Sequence, residues 1–238
     1  MAAHLLLRLE APLMSFGTTA VDHHRPVQAW PAVSMLTGLL ANALGWERSH
    51  AEALDRLQAR IRWAARIDRA GTLLNDFQTA QLAKDDRGWT TRGVVETRGG
   101  GDASYDSPHL RYRDYRADAS VLVALRLDPD AEAPTVADLA AALDAPRRPL
   151  FLGRKGCLPA TRIGLGLVDA ADAINALDQM PTTVGGDAPS ASAVYFNIGA
   201  AEVTPQHRMH HTSDERRFDL DVHAGRQPVF ERVRKVAA

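Results

Sequence analysis

The sequence predicts an α+β fold, and three features of the 238-residue chain favour this class. Apolar runs typical of β-strands occur at His4–Leu9, Arg62–Asp68 and Ser120–Leu127. Segments with helical periodicity follow the first and the third of these runs. Between the second and third runs, residues 70–117 are rich in charge and glycine and poor in apolar side chains. They indicate an insertion that buries no core of its own.

The two helices that follow the first strand are predicted from their capping residues. Ser34–Gly45 begins with a serine, a favoured N-cap, and ends with a glycine, a favoured residue just past a helix. Ser49 and Glu52 have the spacing of a capping box at the start of the second helix. The chain then alternates through Arg62–Asp68, as expected of a strand.

The later elements complete a recognisable order. Ser120–Leu127 is the strongest strand candidate, Thr135–Ala145 is predicted to be a helix with its threonine as N-cap, and a further strand is expected near Arg162–Val168. The resulting order, βαββαβ, is that of a ferredoxin-like or RRM-like domain. Residues 70–117 would be a β-hairpin thumb inserted between its middle strands. This framework serves many functions, so the fold alone assigns none.

The predicted domain boundary lies between residues 168 and 169. Residues 1–168 would form the RRM-like domain, and residues 169–238 a small β-rich C-terminal extension. The extension is expected to contain a short helix, a linker or loop, a strand and a polar segment, over Ala170–Met180, Thr182–Ser192, Ala193–Val203 and Gln206–Arg217. Phe218–Val222 and Val229–Val233 would be terminal strands or frayed ends.

Composition and charge exclude several classes of protein. The formal net charge is −1, so binding to nucleic acid requires a local cationic face. Three of the 28 basic residues are lysines and 25 are arginines. Arginine suits bidentate contact with phosphate, although a genome rich in G and C produces the same excess. The single Cys157 excludes an intramolecular disulfide. It fits a cytoplasmic location, and no apolar run of about 18 residues predicts a membrane span.

Neither a cofactor nor a metal ion is expected. The sequence contains no nucleotide-binding, dinucleotide-binding or peptidase motif. His23 and His24 are adjacent and lack the spacing of a pair of metal ligands. His207, His210 and His211 have no neighbouring acidic pattern, so a solvated histidine-rich loop is favoured over a metal site.

Positive charge is concentrated in residues 147–161, which we call the basic loop. Gly153 and Gly156 bracket Arg154 and Lys155 there. Glycine lets a backbone turn tightly and approach a ligand closely. A cationic turn flanked by glycines suits a polyanion, and an ordinary surface turn is the alternative interpretation.

Aromatic and cationic side chains alternate near the end of the insertion. Tyr112 lies between Arg111 and Arg113, a pattern that suits base stacking combined with phosphate contact. A solubilising, exposed hairpin is the alternative. A metal-independent ribonuclease needs a general base, a general acid and a cation. His109, Tyr112 and Lys155 could supply them, but nothing in the sequence places them together, so binding is favoured over catalysis.

Five segments, in the same order along residues 4 to 168, resemble motifs of the Cas-five family of CRISPR-associated proteins, in the form found in type I-E Cascade. In one of them, Gln78 stands where histidine is common in the family. The segments are LLLRLEAPLMSFG at 5–17, Arg25-Pro26 with the helix at 34–45, NDFQT at 75–79, RDYRADAS at 113–120 and FLGRKGCLP at 151–159.

The resemblance implies an RNA-binding subunit of an antiviral complex, built on a RAMP-type RRM-like domain, with no catalytic residues. Proteins of this family bind the 5′ handle of the CRISPR RNA (crRNA) and cap one end of Cascade. Their thumb reaches the neighbouring Cas-seven backbone subunit, and they also contact the large subunit, and target DNA indirectly. Some other subtypes use their Cas-five protein to process precursor crRNA, so a metal-independent endoribonuclease is the alternative function.

The expected RNA-binding residues come from the basic loop, the first helix, the thumb and the loop that carries Arg25. Arg154 and Lys155 would contact phosphates, and replacing both is expected to leave the isolated fold intact. Neighbouring glycines, the N-terminal end of the first helix, the thumb and, as a weaker candidate, Arg25 on the adjoining loop would supply the rest: Arg25, Ser34, Gly38, Arg111, Tyr112, Arg113, Gly153 and Gly156. A third interpretation is an assembly protein whose basic loop meets an acidic partner and no RNA. RNA binding releases counterions and should weaken steeply as the salt concentration rises, so the salt dependence of binding separates this interpretation from RNA binding.

Overall fold

A computed structural model describes the fold over residues 1–18, 20, 23–81, 88–89, 95–96, 108–182, 191–220, 222–223, 225 and 227–235. The helices are α1 Val33–Leu44, α2 Ala51–Arg60, α3 Val136–Asp144 and α4 Ala173–Asp178. The strands are β1 Ala2–Met14, β2 His24–Arg25, β3 Ile61–Arg69, β4 Thr72–Ala80, β5 Gly88–Trp89, β6 Val95–Glu96, β7 His109–Leu127, β8 Gly164–Ala170, β9 Ala191–Asn197, β10 Arg208–Thr212, β11 Arg216–Arg217, β12 Val222–His223 and β13 Gln227–Lys235.

One large sheet, together with the four helices, forms most of the described part of the chain. The sequence-based prediction of a mixed α/β fold is therefore confirmed. The strands of the sheet lie in the order β10-β13-β9-β3-β7-β1-β8, and every neighbouring pair along this path is antiparallel. The outer half of β7 pairs with β4 and, in parallel, with β2. Two further two-stranded sheets are β5 with β6 and β11 with β12.

The two faces of the sheet pack against different helices. Because side chains alternate along a strand, Leu5 and Leu7 of β1 belong to the core shared with α1, α2 and α3, whereas Leu6 packs with α4. The larger core therefore lies on the three-helix side. No helix among the described residues is both long and apolar enough to span a bilayer.

Local capping predictions had mixed outcomes. Thr135 and Asp138 form the capping box of α3, and Gly45 ends α1 with a φ of 80°, as predicted. The expected N-cap at Ser34 is wrong, because α1 begins one residue earlier and its N-cap, Ala32, has no capping side chain. The capping box predicted at Ser49 is also absent, since α2 begins after His50 without a side-chain cap.

The C-terminal residues continue the same sheet. β9 pairs with β3 through Ala64 and Phe196, and β13 and β10 follow outward. The division at residue 168 stays a prediction, and most of the predicted linker, residues 183–190, lies outside the described residues. The expectation of a solvated histidine loop is wrong for His210, which lies in β10 and bonds Glu231 Oε2 at 2.7 Å.

β4 and the outer half of β7 form a two-stranded arm whose β4 side chains are mostly exposed, with a bend in the backbone at its base where Gly71 and Asp118 have positive φ. Their pairing runs from Thr72 opposite Ala117 to Ala80 opposite His109. At the bend, Gly71 has a φ of 64°, and a Cβ there would lie 2.3 Å from the carbonyl oxygen of Ala117. The predicted hairpin over 70–117 thus has its base in the structure. Its central residues 82–87, 90–94 and 97–107 lie outside the described residues.

A buried ion cluster ties the sheet to the chain beyond α4. The guanidinium of Arg66 donates to Asp68 Oδ1 at 2.6 Å and to the carbonyl oxygens of Leu177 and Met180. Arg8 reaches the same carboxylate at 3.3 Å from β1. Arg66 and Asp68 are at most 1% exposed. Removal of one partner would therefore leave an uncompensated charge in the interior.

We expect Asp68→Ala to lower the free energy of unfolding by about 3–5 kcal/mol, because Arg66 and Arg8 would remain buried and charged without their counter-ion. Asp144→Ala, which removes an exposed ion pair with Arg162, should cost less than about 1 kcal/mol. Urea unfolding followed by circular dichroism measures both. Equal losses for the two variants would contradict the role assigned to the buried cluster.

Candidate nucleic-acid interface

A groove of 1420 Å³ opens between α1, the basic loop and the C-terminal segment Ser213–Phe218, which we call the strap. The structure brings together side chains that are more than 100 residues apart in sequence. Six of the ten residues predicted to bind RNA line this groove: Arg25, Ser34, Gly38, Gly153, Arg154 and Lys155.

Positive charge dominates the walls of the groove. Glu47 is paired with Arg148 at 3.1 Å, and Asp214 is the other acidic residue in the described lining. The cationic residues outnumber them and are Arg25, Arg48, Arg148, Arg154, Lys155 and Arg216. The groove therefore offers a polyanion a concentration of cations on a protein of near-zero net charge.

Gly153 fixes the basic loop against the end of β1. Its φ is 98°, and a Cβ there would lie 1.9 Å from the carbonyl oxygen of Ser15. The N–H of Ser15 in turn donates to the carbonyl oxygen of Leu152 at 3.1 Å. The close backbone approach expected at this glycine is thus made to the protein itself. Gly38 and Gly156 differ, because a Cβ at either would meet nothing within 4 Å.

Arg154 holds the base of the arm. Its Nη1 donates to the carbonyl oxygen of Asp114 at 2.7 Å, its Nη2 donates to that of Arg25 at 3.2 Å, and its guanidinium lies 4.6 Å from the ring centroid of Tyr115. The expectation that Arg154 is dispensable for the fold therefore needs correction. Lys155 is exposed and has no hydrogen-bond or ion-pair partner among the described residues.

The N-terminus of α1 is occupied by a carboxylate of the strap. The N–H of Val33 donates to Asp214 Oδ2 at 3.3 Å, and Asp214 is 3% exposed. Burial raises the pKa of this carboxyl group, against the opposing effect of the Val33 hydrogen bond. The first N–H group of the helix, which was expected to face an RNA anion, already has an acceptor. Nothing in the sequence signals this contact, because its partners are 181 residues apart.

The predicted aromatic and cationic residues of the thumb, Arg111, Tyr112 and Arg113, lie on two different faces of the arm. Successive residues of a strand point to opposite sides, so Arg111 and Arg113 share a face with Tyr115, which packs on the three-helix core. Tyr112 lies on the other face, with its ring centroid 5.1 Å from that of Phe77. The three residues 111–113 therefore cannot act as one stacking surface.

On the Tyr112 face, a buried carboxylate orients a histidine. Asp114 accepts from Asn75 Nδ2 at 2.6 Å, and its other oxygen lies 3.0 Å from His24 Nε2. Burial acts to raise the pKa of Asp114, but the bonds from Asn75 and His24 and the charges of His24 and Arg154 outweigh it and lower the pKa. His24 therefore has a defined partner, although its side chain is 49% exposed.

The structure does not bring together His109, Tyr112 and Lys155, the three residues that could supply a general base, a general acid and a cation. His109 and Tyr112 are three residues apart on β7 and so point to opposite faces. Lys155 lines the groove, whereas neither of the other two does. Within the described ranges, no three His, Cys, Asp or Glu side chains are grouped to hold a metal ion.

Comparison with known proteins agrees with this architecture. The chain is 31% identical over 203 residues to the CRISPR system Cascade subunit CasD of Escherichia coli (strain K12), covering 82% of this chain and 84% of that protein. Among solved structures, a chain of a CRISPR RNA-guided surveillance complex superposes with a TM-score of 0.71 at 25% identity, over 98% of this chain and 90% of that one. A crystal structure of a Cas protein gives 0.64 at 29% identity, over 97% and 94%.

The family resemblance extends over nearly the whole sequence. Residues 4–237 match the family described as CRISPR-associated protein (Cas_Cas5), which includes the C-terminal strands that carried little of the motif resemblance. The chain therefore belongs to the Cas5 family of CRISPR-associated proteins.

Proposed function

We propose that this chain is a non-catalytic, RNA-binding subunit of a type I Cascade complex that holds the 5′ handle of the crRNA in the groove. The observation that carries the proposal is the convergence of six sequence-predicted residues on one cationic groove. Two relatives support the assignment to a Cascade complex, because one is named a Cascade subunit and the other comes from a CRISPR RNA-guided surveillance complex. The role would serve antiviral defence.

Cationic side chains lie at the groove and on the adjoining face of the arm, and they suit a single RNA strand that continues from one to the other. Lys155 offers an ammonium group at the groove that has no ion-pair partner in the part of the chain that the structure describes. Arg111 and Arg113 lie on the arm face that is continuous with Arg154 and Tyr115. Neutralised phosphates release counterions, so such a path supplies affinity without reading sequence.

The opposite face of the arm suits a protein partner. Leu73 and Phe77 are 55% and 52% exposed there, beside Leu110 and Tyr112. An exposed apolar face on a projecting arm is typical of a protein interface. In our proposal this arm is the thumb that meets the Cas-seven backbone subunit. The large subunit is the second protein partner, and target DNA is met only through the assembled complex.

A ferredoxin-like framework accounts for the position of these surfaces. β3, β7, β1 and β8 lie side by side in that order with antiparallel neighbours. α1 and α2 connect β1 to β3, and α3 connects β7 to β8. This order supports a split βαβ arrangement. We therefore propose that the groove lies on the helical side of such a domain and that the C-terminal strands extend its sheet.

Processing of precursor crRNA is the alternative function. His24 is the histidine best placed for acid–base chemistry, because the buried Asp114 orients its ring 3.0 Å away. Its nearest described aromatic neighbour with a hydroxyl group is Tyr112, at 6.4 Å between ring centroids. The groove cations lie toward the other face of the arm, which favours binding over cleavage.

We expect Lys155→Ala to weaken binding of the repeat-derived RNA handle without changing stability. Loss of one phosphate contact on a single strand should reduce the slope of log affinity against log salt by about 0.7. Arg154→Ala should also lower the free energy of unfolding, by about 2–3 kcal/mol, because it breaks two hydrogen bonds and a cation–π contact. Fluorescence anisotropy over a salt series and urea unfolding separate the two effects.

Arg162→Ala is the matched control for these variants, because Arg162 is exposed and does not line the groove. It should leave both the affinity and the salt slope nearly unchanged. Equal losses for Arg162→Ala and Lys155→Ala would contradict a site in the groove. Capture of a protein partner with no RNA binding at any salt concentration would instead favour the assembly-protein interpretation.

We expect labelled precursor crRNA to remain intact when it is incubated with the purified chain in EDTA, although its handle is bound. Denaturing gels report cleavage, and native gels of the same samples report binding. Cleavage at one position that His24→Ala abolishes would overturn the non-catalytic proposal and establish the ribonuclease alternative.

A further inference from the structure

The last residues of β13, 232–235, have a neighbouring strand on one side. β9 pairs with β13 as far as Lys235, whereas the pairing of β10 with β13 stops at Arg208 opposite Glu231. On the β10 side, residues 232–235 therefore have no strand beside them in the part of the chain that the structure describes. The backbone N–H and C=O groups of such an edge are available to pair with another chain.

A recess of 670 Å³ lies along this edge of β13. Glu231, Arg232 and Val233 all line it. Successive side chains of a strand point to opposite faces of the sheet, so a space that borders three consecutive residues lies beside the edge of the strand. The other walls come from the start of α4 and from residues between 201 and 208, which lead into β10. An occupant of the recess would therefore meet the backbone of β13.

The opposite edge of the sheet, formed by β8, is irregular. The pairing of β8 with β1 shifts register between Leu6 and Leu7, and Gly166 has a φ of 113°. A bulge at a sheet edge hinders the addition of a further strand. The pairing of β13 with β9 runs from Val229 to Lys235 without such a shift. The free end of β13 thus keeps the regular spacing that an added strand requires.

The charges around the recess favour a ligand that carries a carboxylate. Arg208 and Arg232 line it, are exposed, and have no hydrogen-bond or ion-pair partner for their guanidinium groups among the described residues. Two of the acidic residues in the lining are already engaged, since Asp172 caps α4 at 2.8 Å and Glu231 lies 2.7 Å from a histidine of β10. Glu202 is the remaining acid in the lining. Guanidinium groups without a partner bind carboxylates well.

The two residues that continue the edge beyond Glu231 point to opposite faces of the sheet. Arg232 pairs with Val194, which packs in the core on the α4 side, and Val233 pairs with Ala193, which packs against the core on the three-helix side. Val233 is 66% exposed. Directly opposite side chains on neighbouring strands contact each other. A strand added here would therefore place successive side chains against a cation and an apolar group.

We propose that the free edge of β13 binds an extended segment of a partner protein, antiparallel to β13 and in line with β10, with an acidic side chain opposite Arg232 and an apolar one opposite Val233. In this mode of recognition, main-chain hydrogen bonds supply affinity and alternate side chains supply specificity. No described residue lines both the recess and the groove. The inference therefore does not rest on RNA binding in the groove.

The test uses two short, fluorescently labelled peptides as probes, one that alternates Glu with Val and one that alternates Lys with Val. We expect the unaltered chain to prefer the Glu–Val peptide by about tenfold, because its carboxylates attract Arg232 and the Lys–Val peptide repels it. Arg232→Glu should reverse this preference. Arg162→Glu is the matched control, because it makes the same change of charge at an exposed arginine that does not line the recess, and it should keep the original preference.

Two further measurements separate strand addition from attraction between charges alone. A Glu–Val peptide that is N-methylated at every residue keeps its side chains but lacks main-chain donors, so it should lose at least about tenfold in affinity. Hydrogen exchange should slow at the amides of residues 232–235 when the unmethylated peptide is bound, because pairing protects them from solvent. Thermal unfolding of each variant checks that binding is measured on folded protein.

Equal affinity for the Glu–Val and Lys–Val peptides, or a preference that Arg232→Glu leaves unchanged, would overturn the inference. Equal binding of the N-methylated peptide would also overturn it, because main-chain pairing would then contribute nothing. Absence of binding up to about 1 mM peptide would show that the edge is closed to strands of this pattern and would overturn it as well.

Discussion

The continuity of β7 is the constraint on which the rest of the structure depends. Its inner half lies between β1 and β3 in the centre of the sheet, and its outer half carries β4 and β2. The same backbone hydrogen bonds that build the core therefore set the direction of the arm. At the bend, Asp118 has a φ of 56° and accepts two bonds from Arg69, so the arm is fixed to the core by side chains as well as by backbone.

The groove is formed by segments that are far apart in the sequence. Gly153 seats the basic loop on β1, Arg154 joins that loop to β7 and β2, and Asp214 joins the strap to α1. Each contact positions residues at the groove and stabilises the fold as well. A predicted ligand residue such as Arg154 can consequently be structural, while the exposed Lys155 beside it has no structural partner among the described residues.

The parts of the fold that depend on local chemistry were predictable from the sequence. The capping box of α3 and Gly45 at the end of α1 are read from residues a few positions apart. The concentration of cations in the basic loop is also read from neighbouring residues. Contacts between distant segments were not predictable. The carboxylate at α1 comes from a polar stretch without periodicity, and the separation of Tyr112 from Arg111 required the pairing of β7 with its neighbours.

The strap also determines when the groove exists. α1 and the basic loop are synthesised before the strap, whose Asp214 and Arg216 line the groove. A nascent chain on the ribosome has an open groove and a helix that lacks the carboxylate partner of its first N–H. The complete surface forms only after residue 218 has emerged. Translation itself thus delays the finished groove until the strap has been made.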